Sequence, residues 1–366
     1  MPLNRYLTLG RSGLRVSPMC LGAMTFGKEW GWGSTPEESF QILDHFCERG
    51  GNFIDTANMY TKGHSEAILG DWLTQRAKRG RSFARDRVVI ATKFFGNLYL
   101  GDPNAGGGSR KNMLASCEES LRRLKTDYID LYWLHLWDHF TPIDETMRAL
   151  DDLVRAGKVR YIGFSDVPAW KCAQAQTEAH FRGWSPLIAI QIEYSLLERT
   201  VEGELIPMAL ELGMGVTPWS PLAGGALSGK YDRTNVDKVE PGRGAWVKGR
   251  FNERTLAIID VLKAVAGEAR CTPAQAALAW LQQRPGVVST IIGARTIDQL
   301  KDNLAALDVQ LAPAQTDRLD EATKPTLNFP YHFLERAGPG MQGGTTINGR
   351  PSEPWPFAPQ SDDERW

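Results

Sequence analysis

The stretch Asn52-Phe-Ile-Asp-Thr-Ala-Asn-Met-Tyr60 joins a short apolar run to two polar side chains, a carboxylate and a phenol. Two later runs have the same form: Val88-Val-Ile-Ala-Thr-Lys93 ends on an amine, and Tyr128-Ile-Asp-Leu-Tyr-Trp-Leu-His135 ends on an imidazole. Short apolar runs of this kind are typical of buried strands. If they are parallel strands of one closed sheet, four polar side chains meet at its carboxyl-terminal mouth. These are Asp55, Tyr60, Lys93 and His135.

Apolar runs and amphipathic stretches alternate along most of the chain. Candidate strands lie near residues 19–23, 52–55, 87–93, 128–135, 159–164, 188–192, 214–219 and 288–293. Candidate helices lie near residues 36–49, 64–79, 110–125, 144–156, 168–182, 200–212, 252–268, 273–284 and 296–306. Eight strands alternating with helices predict an α/β fold of the (β/α)8 TIM barrel type. An open doubly wound sheet would bring a GxGxxG turn after its first strand, which we do not find here.

Three segments lie outside this alternation. Residues 6–16 read as two short strands around a Ser-Gly turn, which predicts an N-terminal β-hairpin. The long loop 220–250 after the seventh strand is rich in glycine, proline and basic residues, and we expect it to cover a ligand. We expect residues 1–324 to form a single barrel domain and residues 325–366 to form a partly irregular C-terminal tail over the barrel mouth.

Composition excludes several classes of function. With 366 residues and a net charge of -1, the chain has no long-range electrostatic attraction for nucleic acid or an anionic membrane. The uncharged stretch 212–229 contains two prolines and five glycines, which favour strand and loop over a membrane span. Five scattered cysteines without a CxxC pair, and an N-terminus without an apolar signal segment, predict a cytoplasmic protein.

A carboxylate, an amine, a phenol and an imidazole together suit proton transfer to or from a carbonyl group. The phenol of Tyr60 has an ordinary pKa of about 10, and we expect the ammonium of Lys93 to lower that pKa. Asp55 would keep Lys93 charged, and His135 would bond the substrate oxygen. The alternative for each residue alone is structural, because a buried Lys–Asp pair is often part of a core and a lone tyrosine is often a wall residue.

Residues 5 to 320 resemble the aldo-keto reductase superfamily, and in particular its aryl-alcohol dehydrogenase-like branch. The segment from Asp55 to Tyr60 is similar to the family's Asp-Thr-Ala-x-x-Tyr signature, and Gly63-His-Ser-Glu66 continues it. Thr92-Lys93 and Leu134-His135 fall at the matching strand ends. The resemblance implies that Tyr60 is the general acid, that Lys93 and Asp55 tune it, and that His135 orients the substrate. It also implies hydride transfer from a nicotinamide to a carbonyl carbon.

The same resemblance implies a nicotinamide dinucleotide site. Asp166 stands where the family usually has asparagine, and Arg295 at a helix start would hold a 2′-phosphate, which favours NADPH/NADP⁺ over the unphosphorylated form. Trp219 would stack on the nicotinamide ring. The cofactor-binding residues implied are Thr25, Ser165, Asp166, Gln191, Trp219, Ser220, Leu222, Gly224, Gly293, Arg295, Gln299 and Asn303.

We expect a small-molecule carbonyl or alcohol substrate, preferably aromatic or bulky, because the predicted pocket walls are mostly aromatic. These walls are Trp30, Trp32, Met59, Phe94 and Trp137. No metal is expected, although a metal-dependent hydrolase built on His135 and Asp55 is an alternative. The segment 224–230 nearly spells a P-loop, but Tyr231 occupies the position of the required Ser or Thr.

A second alternative is a regulatory subunit that binds a nicotinamide cofactor without steady turnover. The resemblance extends to the potassium-channel beta subunits, which share the barrel and the nicotinamide site. Tight cofactor binding without turnover, together with a membrane partner, would favour this alternative over an enzyme.

Overall fold

A computed structural model describes residues 2–81, 84–236 and 247–365. Ten strands belong to the first part of the fold: β1 Leu7–Thr8, β2 Arg15–Val16, β3 Met19–Gly22, β4 Phe53–Asp55, β5 Val89–Phe94, β6 Ile129–Leu134, β7 Val159–Ser165, β8 Leu187–Glu193, β9 Gly215–Trp219 and β10 Thr290–Gly293. Strands β3 to β10 form one parallel sheet in the order β10-β3-β4-β5-β6-β7-β8-β9. The last gap is bridged at Val216, whose amide donates to Gly286 O and whose carbonyl accepts from Val288 N, both at 2.9 Å. The sheet is therefore a barrel, as predicted.

Helices follow the barrel strands. They are α1 Pro36–Glu48, α2 His64–Ala77, α3 Arg110–Leu124, α4 Ile143–Arg155, α5 Ala169–Arg182, α6 Leu205–Glu211, α7 Glu253–Glu268, α8 Pro273–Gln282, α9 Ile297–Ala305 and α10 Pro313–Ala322. Hydroxyl N-caps at Thr35, Ser109, Thr272 and Thr296 accept from the third helical amide, which explains where these helices begin. None of the helices in the described parts of the chain is long and apolar enough to cross a membrane.

Side chains that alternate along the strands divide between two cores. One core lies inside the barrel and contains Phe53, Ala91, Leu131 and Trp133, and the larger one lies between the barrel and the helices. Gly163 makes room for the Trp133 ring, because a Cβ at residue 163 would lie 2.4 Å from a ring carbon. The barrel interior is therefore filled below the site, and its carboxyl-terminal mouth is left for chemistry.

The predicted N-terminal hairpin is confirmed. Strands β1 and β2 pair antiparallel, and Leu9 and Val16 belong to the core inside the barrel. The amide of Arg11 donates to the carbonyl of Gly213, just before β9, at 2.8 Å. Because these contacts are at the amino ends of the barrel strands, the hairpin closes the end opposite the mouth.

The predicted elements agree with the observed ones to within two residues, apart from the region 200–212. There the chain forms a 3₁₀ turn over Thr200–Glu202 before α6 begins at Leu205. Helix α10 was not predicted at all, because only Leu319 of its ten residues is buried and no apolar stripe is visible in the sequence. Part of the long loop predicted over 220–250, residues 237–246, lies outside the described residues.

The chain divides into two compact units, Met1–Thr323 and Lys324–Trp366. The second unit contains a short helix, α11 Tyr331–Ala337, and two paired strands, β11 Thr346–Ile347 and β12 Arg350–Pro351. These elements are more regular than the sequence suggested. The predicted placement of this tail over the barrel mouth stays a prediction.

Candidate active site

Lys93 lies at the centre of a hydrogen-bonded group at the carboxyl end of the barrel. Its buried ammonium donates to a carboxylate oxygen of Asp55, to the carbonyl oxygen of Thr56 at 2.8 Å and to the phenol oxygen of Tyr60 at 3.0 Å. An ammonium has three N–H donors, so each one has an acceptor. Gln191 donates from Nε2 to the other oxygen of Asp55 at 3.0 Å. Strands β4, β5 and β8 thus contribute to one buried network.

Strand register explains why these groups meet. Asp55, the last residue of β4, pairs with Ala91 of β5, and Lys93 follows two residues later with its side chain on the same face. Beyond β4 the chain stays bonded to β5, because the amide of Asn58 donates to Lys93 O at 3.0 Å. This hydrogen bond keeps the chain beside β5, so that Tyr60 lies near the carboxyl end of that strand.

The backbone turns sharply after Tyr60. Thr61 and Lys62 have positive φ angles of 46° and 58°, and Gly63 follows at 89°. Two non-glycine residues in this conformation cost about 1–3 kcal/mol each and persist only where their surroundings hold them. Here the hydroxyl of Thr61 donates to Phe26 O at 2.9 Å, which ties the turn to the segment after β3.

The phenol of Tyr60 is arranged to donate a proton. Because the ammonium of Lys93 has only donors, the phenol oxygen must accept from it, and the hydroxyl hydrogen is directed elsewhere. Burial raises the pKa of Tyr60 above its ordinary value, although the Lys93 charge opposes that rise. Our expectation of a lowered pKa is therefore wrong: the cation acts as predicted, but burial outweighs it. At neutral pH Tyr60 is protonated.

The Asp55–Lys93 pair carries the charge of the network. Burial disfavours the ammonium, but the electrostatic and hydrogen-bond effects of Asp55 and Tyr60 together outweigh it and raise the pKa of Lys93 above its ordinary value. Burial likewise raises the pKa of Asp55, against the opposing effects of Lys93 and Gln191. We treat the pair as ionised, because both partners are satisfied by hydrogen bonds that need the charged forms.

His135 directly follows β6 and packs edge-on against Tyr60, with ring centroids 5.7 Å apart. Burial, with the nearby charge of Lys93, lowers the pKa of His135 to about 3, so the imidazole is neutral. Its Nδ1 is buried and has no partner among the described residues. Because a buried N–H without a partner is rarer in proteins than a buried acceptor without one, we assign the proton to Nε2.

A second group lies at the ends of β7, β8 and β9. Asp166 follows β7 directly, and its carboxylate accepts from the Trp219 indole at 3.0 Å and from the Ser165 hydroxyl at 3.3 Å. Its amide donates to Gln191 O at 3.1 Å. Since Gln191 also bonds Asp55, this group adjoins the Lys93 network. A half-buried aromatic ring suits stacking on a nicotinamide ring, and the polar side chains at its edge suit hydrogen bonds to the carboxamide.

A cleft of about 320 Å³ follows the loop after β9 and the start of α9. Its lining includes six of the predicted cofactor residues: Leu222, Gly224, Gly293, Arg295, Gln299 and Asn303. Gly224 and Gly225 have positive φ, and a Cβ on Gly225 would meet no atom within 4 Å, so the backbone there is open to a ligand. The cleft is also lined by two cationic side chains, Arg295 beside the start of α9 and Lys230 after the glycine turn. Cations in these places suit phosphate groups.

The remaining predicted cofactor residues lie close by, with their side chains partly engaged. The hydroxyl of Thr25 donates to Ala294 O at 2.8 Å, just after β10. Ser220 follows β9 and accepts from the Gly224 amide at 2.9 Å, which shapes the glycine turn. Sequence reasoning missed Lys230 as the second cation of the cleft, although its place directly after the glycine-rich loop was a usable signal.

The residues predicted to form the pocket walls lie in different places. Trp30 packs edge-on against Tyr60 with centroids 6.3 Å apart, whereas Trp32, 5.7 Å from Trp30, lines the cleft of about 320 Å³. Met59 is exposed beside Tyr60, and Trp137 packs against Trp170 at the end of β6.

The prediction for Phe94 was wrong. Its side chain is fully buried between barrel and helices, against the ring of Tyr132 with centroids 4.9 Å apart. Strand alternation explains this, because Lys93 points into the barrel and its neighbour must point out.

Two other features do not bear on this chemistry. A larger cavity of about 600 Å³ lies at the amino ends of β8 and β9, and its lining contains Arg11, His180 and Trp184 but none of the candidate site residues. Within residues 2–81, 84–236 and 247–365, no group of three His, Cys, Asp or Glu side chains could hold a metal ion. Both oxygens of Asp55 already accept hydrogen bonds, from Lys93 and Gln191, which disfavours the alternative metal site on Asp55 and His135.

Comparison with known proteins agrees with this geometry. The model of the family described as "Aldo/keto reductase family" matches residues 18–324. The chain is 39% identical over 315 residues to the protein named Uncharacterized oxidoreductase YrpG of Bacillus subtilis, covering 84% of this chain and 92% of that one. It is 36% identical over 337 residues to the aryl-alcohol dehydrogenase [NADP(+)] of Phanerodontia chrysosporium, covering 87% and 86%.

A third relative is norsolorinic acid reductase B of Dothistroma septosporum, which is 36% identical over 332 residues and covers 88% of this chain and 82% of that one. The matched family region contains every barrel strand and all of the candidate catalytic residues. The chain is thus an NAD(P)H-dependent oxidoreductase acting on carbonyl compounds, and it belongs to the aldo/keto reductase family.

Proposed function

We propose that this protein reduces aldehydes or ketones to alcohols with NADPH, or runs the reverse oxidation with NADP⁺, using Tyr60 as its general acid. The observation that carries the proposal is the Lys93 ammonium, which donates to both Asp55 and Tyr60 and leaves the phenol hydrogen free. When bound, the reduced nicotinamide supplies a hydride to the carbonyl carbon.

The chain's own residues then handle the oxygen. His135, neutral with its proton on Nε2, donates a hydrogen bond to the carbonyl oxygen and holds it beside Tyr60. Tyr60 gives its proton to that oxygen as negative charge develops there. Lys93 stabilises the phenolate that remains, and Asp55 keeps Lys93 charged and fixed in direction.

The preference for NADPH rests on the cleft. Arg295 lies at the start of α9, where Thr296 is the N-cap and Gln299 accepts from the Arg295 amide at 2.9 Å. An arginine at a helix amino terminus suits a 2′-phosphate through charge and dipole together. Lys230, which also lines the cleft, would contact the pyrophosphate.

Aromatic or bulky carbonyl compounds are the proposed substrates. Trp30 flanks Tyr60, and Trp137 with Trp170 forms a further aromatic pair after β6 and β7. Two relatives carry names that refer to aryl alcohols and to norsolorinic acid. All five cysteines are free thiols, which supports a cytoplasmic location.

The direct test follows the loss of reduced-nicotinamide absorbance with an aromatic aldehyde and with a small sugar aldehyde. We expect turnover with NADPH, and a kcat/KM that is higher for the aromatic substrate. Equal efficiency on both would contradict the substrate class. Tight NADPH binding without turnover of any carbonyl would contradict the enzyme and favour a regulatory subunit.

A further inference from the structure

Asp166 is the residue that departs from the family pattern, and the structure gives its carboxylate a defined place. It accepts from the Trp219 indole at 3.0 Å, so the negative group lies at the edge of the ring proposed to stack on the nicotinamide. Its φ of 50° is one that Asp and Asn tolerate better than most residues, so either fits the backbone there. Charge is therefore the main difference between the two side chains here.

The groups that face Asp166 leave that charge largely uncompensated. Lys93 on β5 is already bonded to three oxygens. Glu193 on β8 adds a second negative group, which lies 2.7 Å from Arg250 Nη1. Tyr60 is neutral, and the Trp219 and Ser165 donors occupy only part of the carboxylate's acceptor capacity.

We propose that Asp166 determines redox-form specificity: its carboxylate favours binding of the oxidised cofactor, whose nicotinamide ring is a cation, over the reduced one, whose ring is neutral. The inference rests on the proposed function. An asparagine would serve the carboxamide and Trp219 equally well, but it would not distinguish the two rings by charge. The residue thus acts on cofactor affinity without taking part in proton transfer.

This specificity depends on pH in a direction that can be worked out. Burial raises the pKa of Asp166 to about 6, with Glu193 adding to the rise and Trp219, Ser165 and Lys93 opposing it. Above that pH the carboxylate is charged and favours the cationic ring, and below it the preference is lost. His135, with a pKa of about 3, and Tyr60, with a pKa raised above its ordinary value, keep their charge states across this range.

The test compares dissociation constants of NADP⁺ and NADPH by calorimetry for the wild type and Asp166→Asn. We expect Asp166→Asn to weaken NADP⁺ binding about tenfold, with little effect on NADPH, as for a unit charge several ångströms away in a partly screened site. In the wild type the ratio of the NADP⁺ constant to the NADPH constant should rise as pH falls through about 6. In the variant it should stay flat. The ratio cancels titration of the 2′-phosphate near pH 6, because both forms carry it.

Asp302→Asn is the matched control. This carboxylate lines the nucleotide cleft near Arg295, where both redox forms present the same groups, so the ratio should stay unchanged. A ratio in Asp166→Asn within twofold of wild type, or a pH dependence that survives the substitution, would overturn the inference while leaving the proposed function intact. Wild-type protein that binds neither form would overturn both.

Discussion

A single ammonium organises the site at the scale of residues. Lys93 donates to a carboxylate, a carbonyl and a phenol. Because the phenol oxygen accepts from the ammonium, the phenol hydrogen points away from Lys93. Burial keeps Tyr60 protonated and His135 neutral, although the two rings lie side by side. The pair thus combines a proton donor with a neutral hydrogen-bond donor, which suits reduction of a carbonyl.

These charge states predict the pH profile of carbonyl reduction. At saturating NADPH we expect kcat/KM for the carbonyl substrate to stay level from about pH 6 to about pH 9 and to fall only as the phenol ionises. The acid side should show no loss near the ordinary histidine value, because burial lowers the pKa of His135 to about 3. Steady-state rates across this range measure the profile. A limb with a midpoint near pH 6.5 that persists in Asp166→Asn would show that His135 titrates.

The ion pair predicts a distinctive pattern of stability. Lys93→Met leaves the buried Asp55 carboxylate without its cation, so we expect a loss of about 3 kcal/mol in the free energy of unfolding. Adding Asp55→Asn should restore much of it, since the amide still accepts from Gln191 and no buried charge remains. Denaturant unfolding measures both variants, and both should lack turnover. A double variant no more stable than Lys93→Met would contradict a charged pair.

At this scale the sequence predicted which residues meet but not how burial balances their charges. The four polar side chains were visible because each ends or follows an apolar run. The net pKa of Tyr60 was not, since burial depends on Trp30 and His135 packing around it from distant parts of the chain. The position of Phe94 was readable from strand alternation beside Lys93.

At the scale of elements, close packing inside the barrel limits the size of the side chains that its strands can carry. The Trp133 ring fits against the backbone of β7 because Gly163 has no Cβ to meet it. Trp133 pairs with Lys93 in the strand register, so its packing supports the strand that carries the ammonium.

Gly163→Ala should therefore lower the free energy of unfolding by about 3 kcal/mol, because the added methyl forces the ring or the strand to move. Gly267→Ala is the control: it is exposed in α7 with no atom within 4 Å of its Cβ, and we expect a gain of about 0.5–1 kcal/mol. Denaturant unfolding of both compares them directly. Equal effects would mean that the interior packing does not constrain residue 163.

Elements with an apolar stripe or run were predictable, and those without were not. Strands such as β3 are buried throughout and contain no charged residue, so they read as apolar runs. Helix α10 buries a single leucine, and α11 buries no residue at all, so neither shows a period in the sequence. Their formation depends on local propensity and context that patterning does not report.

At the scale of the whole molecule, closure of the barrel brings the site together. Residues from β4, β5, β6, β7, β8 and β9 meet only because the sheet curves until β9 reaches the segment before β10. The alternation of strands and helices predicted this, whereas nothing in the sequence revealed how the second unit is built.

All candidate site residues belong to the first unit, which predicts the effect of truncation. A chain ending at Thr323 should fold with an unfolding temperature near that of the full chain and should bind NADPH with an unchanged dissociation constant. Thermal unfolding and calorimetry measure both. An unfolded product, or one that has lost cofactor affinity, would mean that the first unit does not hold the site alone.

The measurement that tests the central claim is single-turnover oxidation of bound NADPH by an aromatic aldehyde in Tyr60→Phe. We predict a rate lower by about 10²–10⁴-fold, the usual size for loss of a general acid, with NADPH affinity unchanged. Tyr161→Phe, which alters a phenol on β7 outside the Lys93 network, is the control and should keep the wild-type rate. A Tyr60→Phe rate within a few-fold of wild type would contradict the account, because the proton would then come from elsewhere.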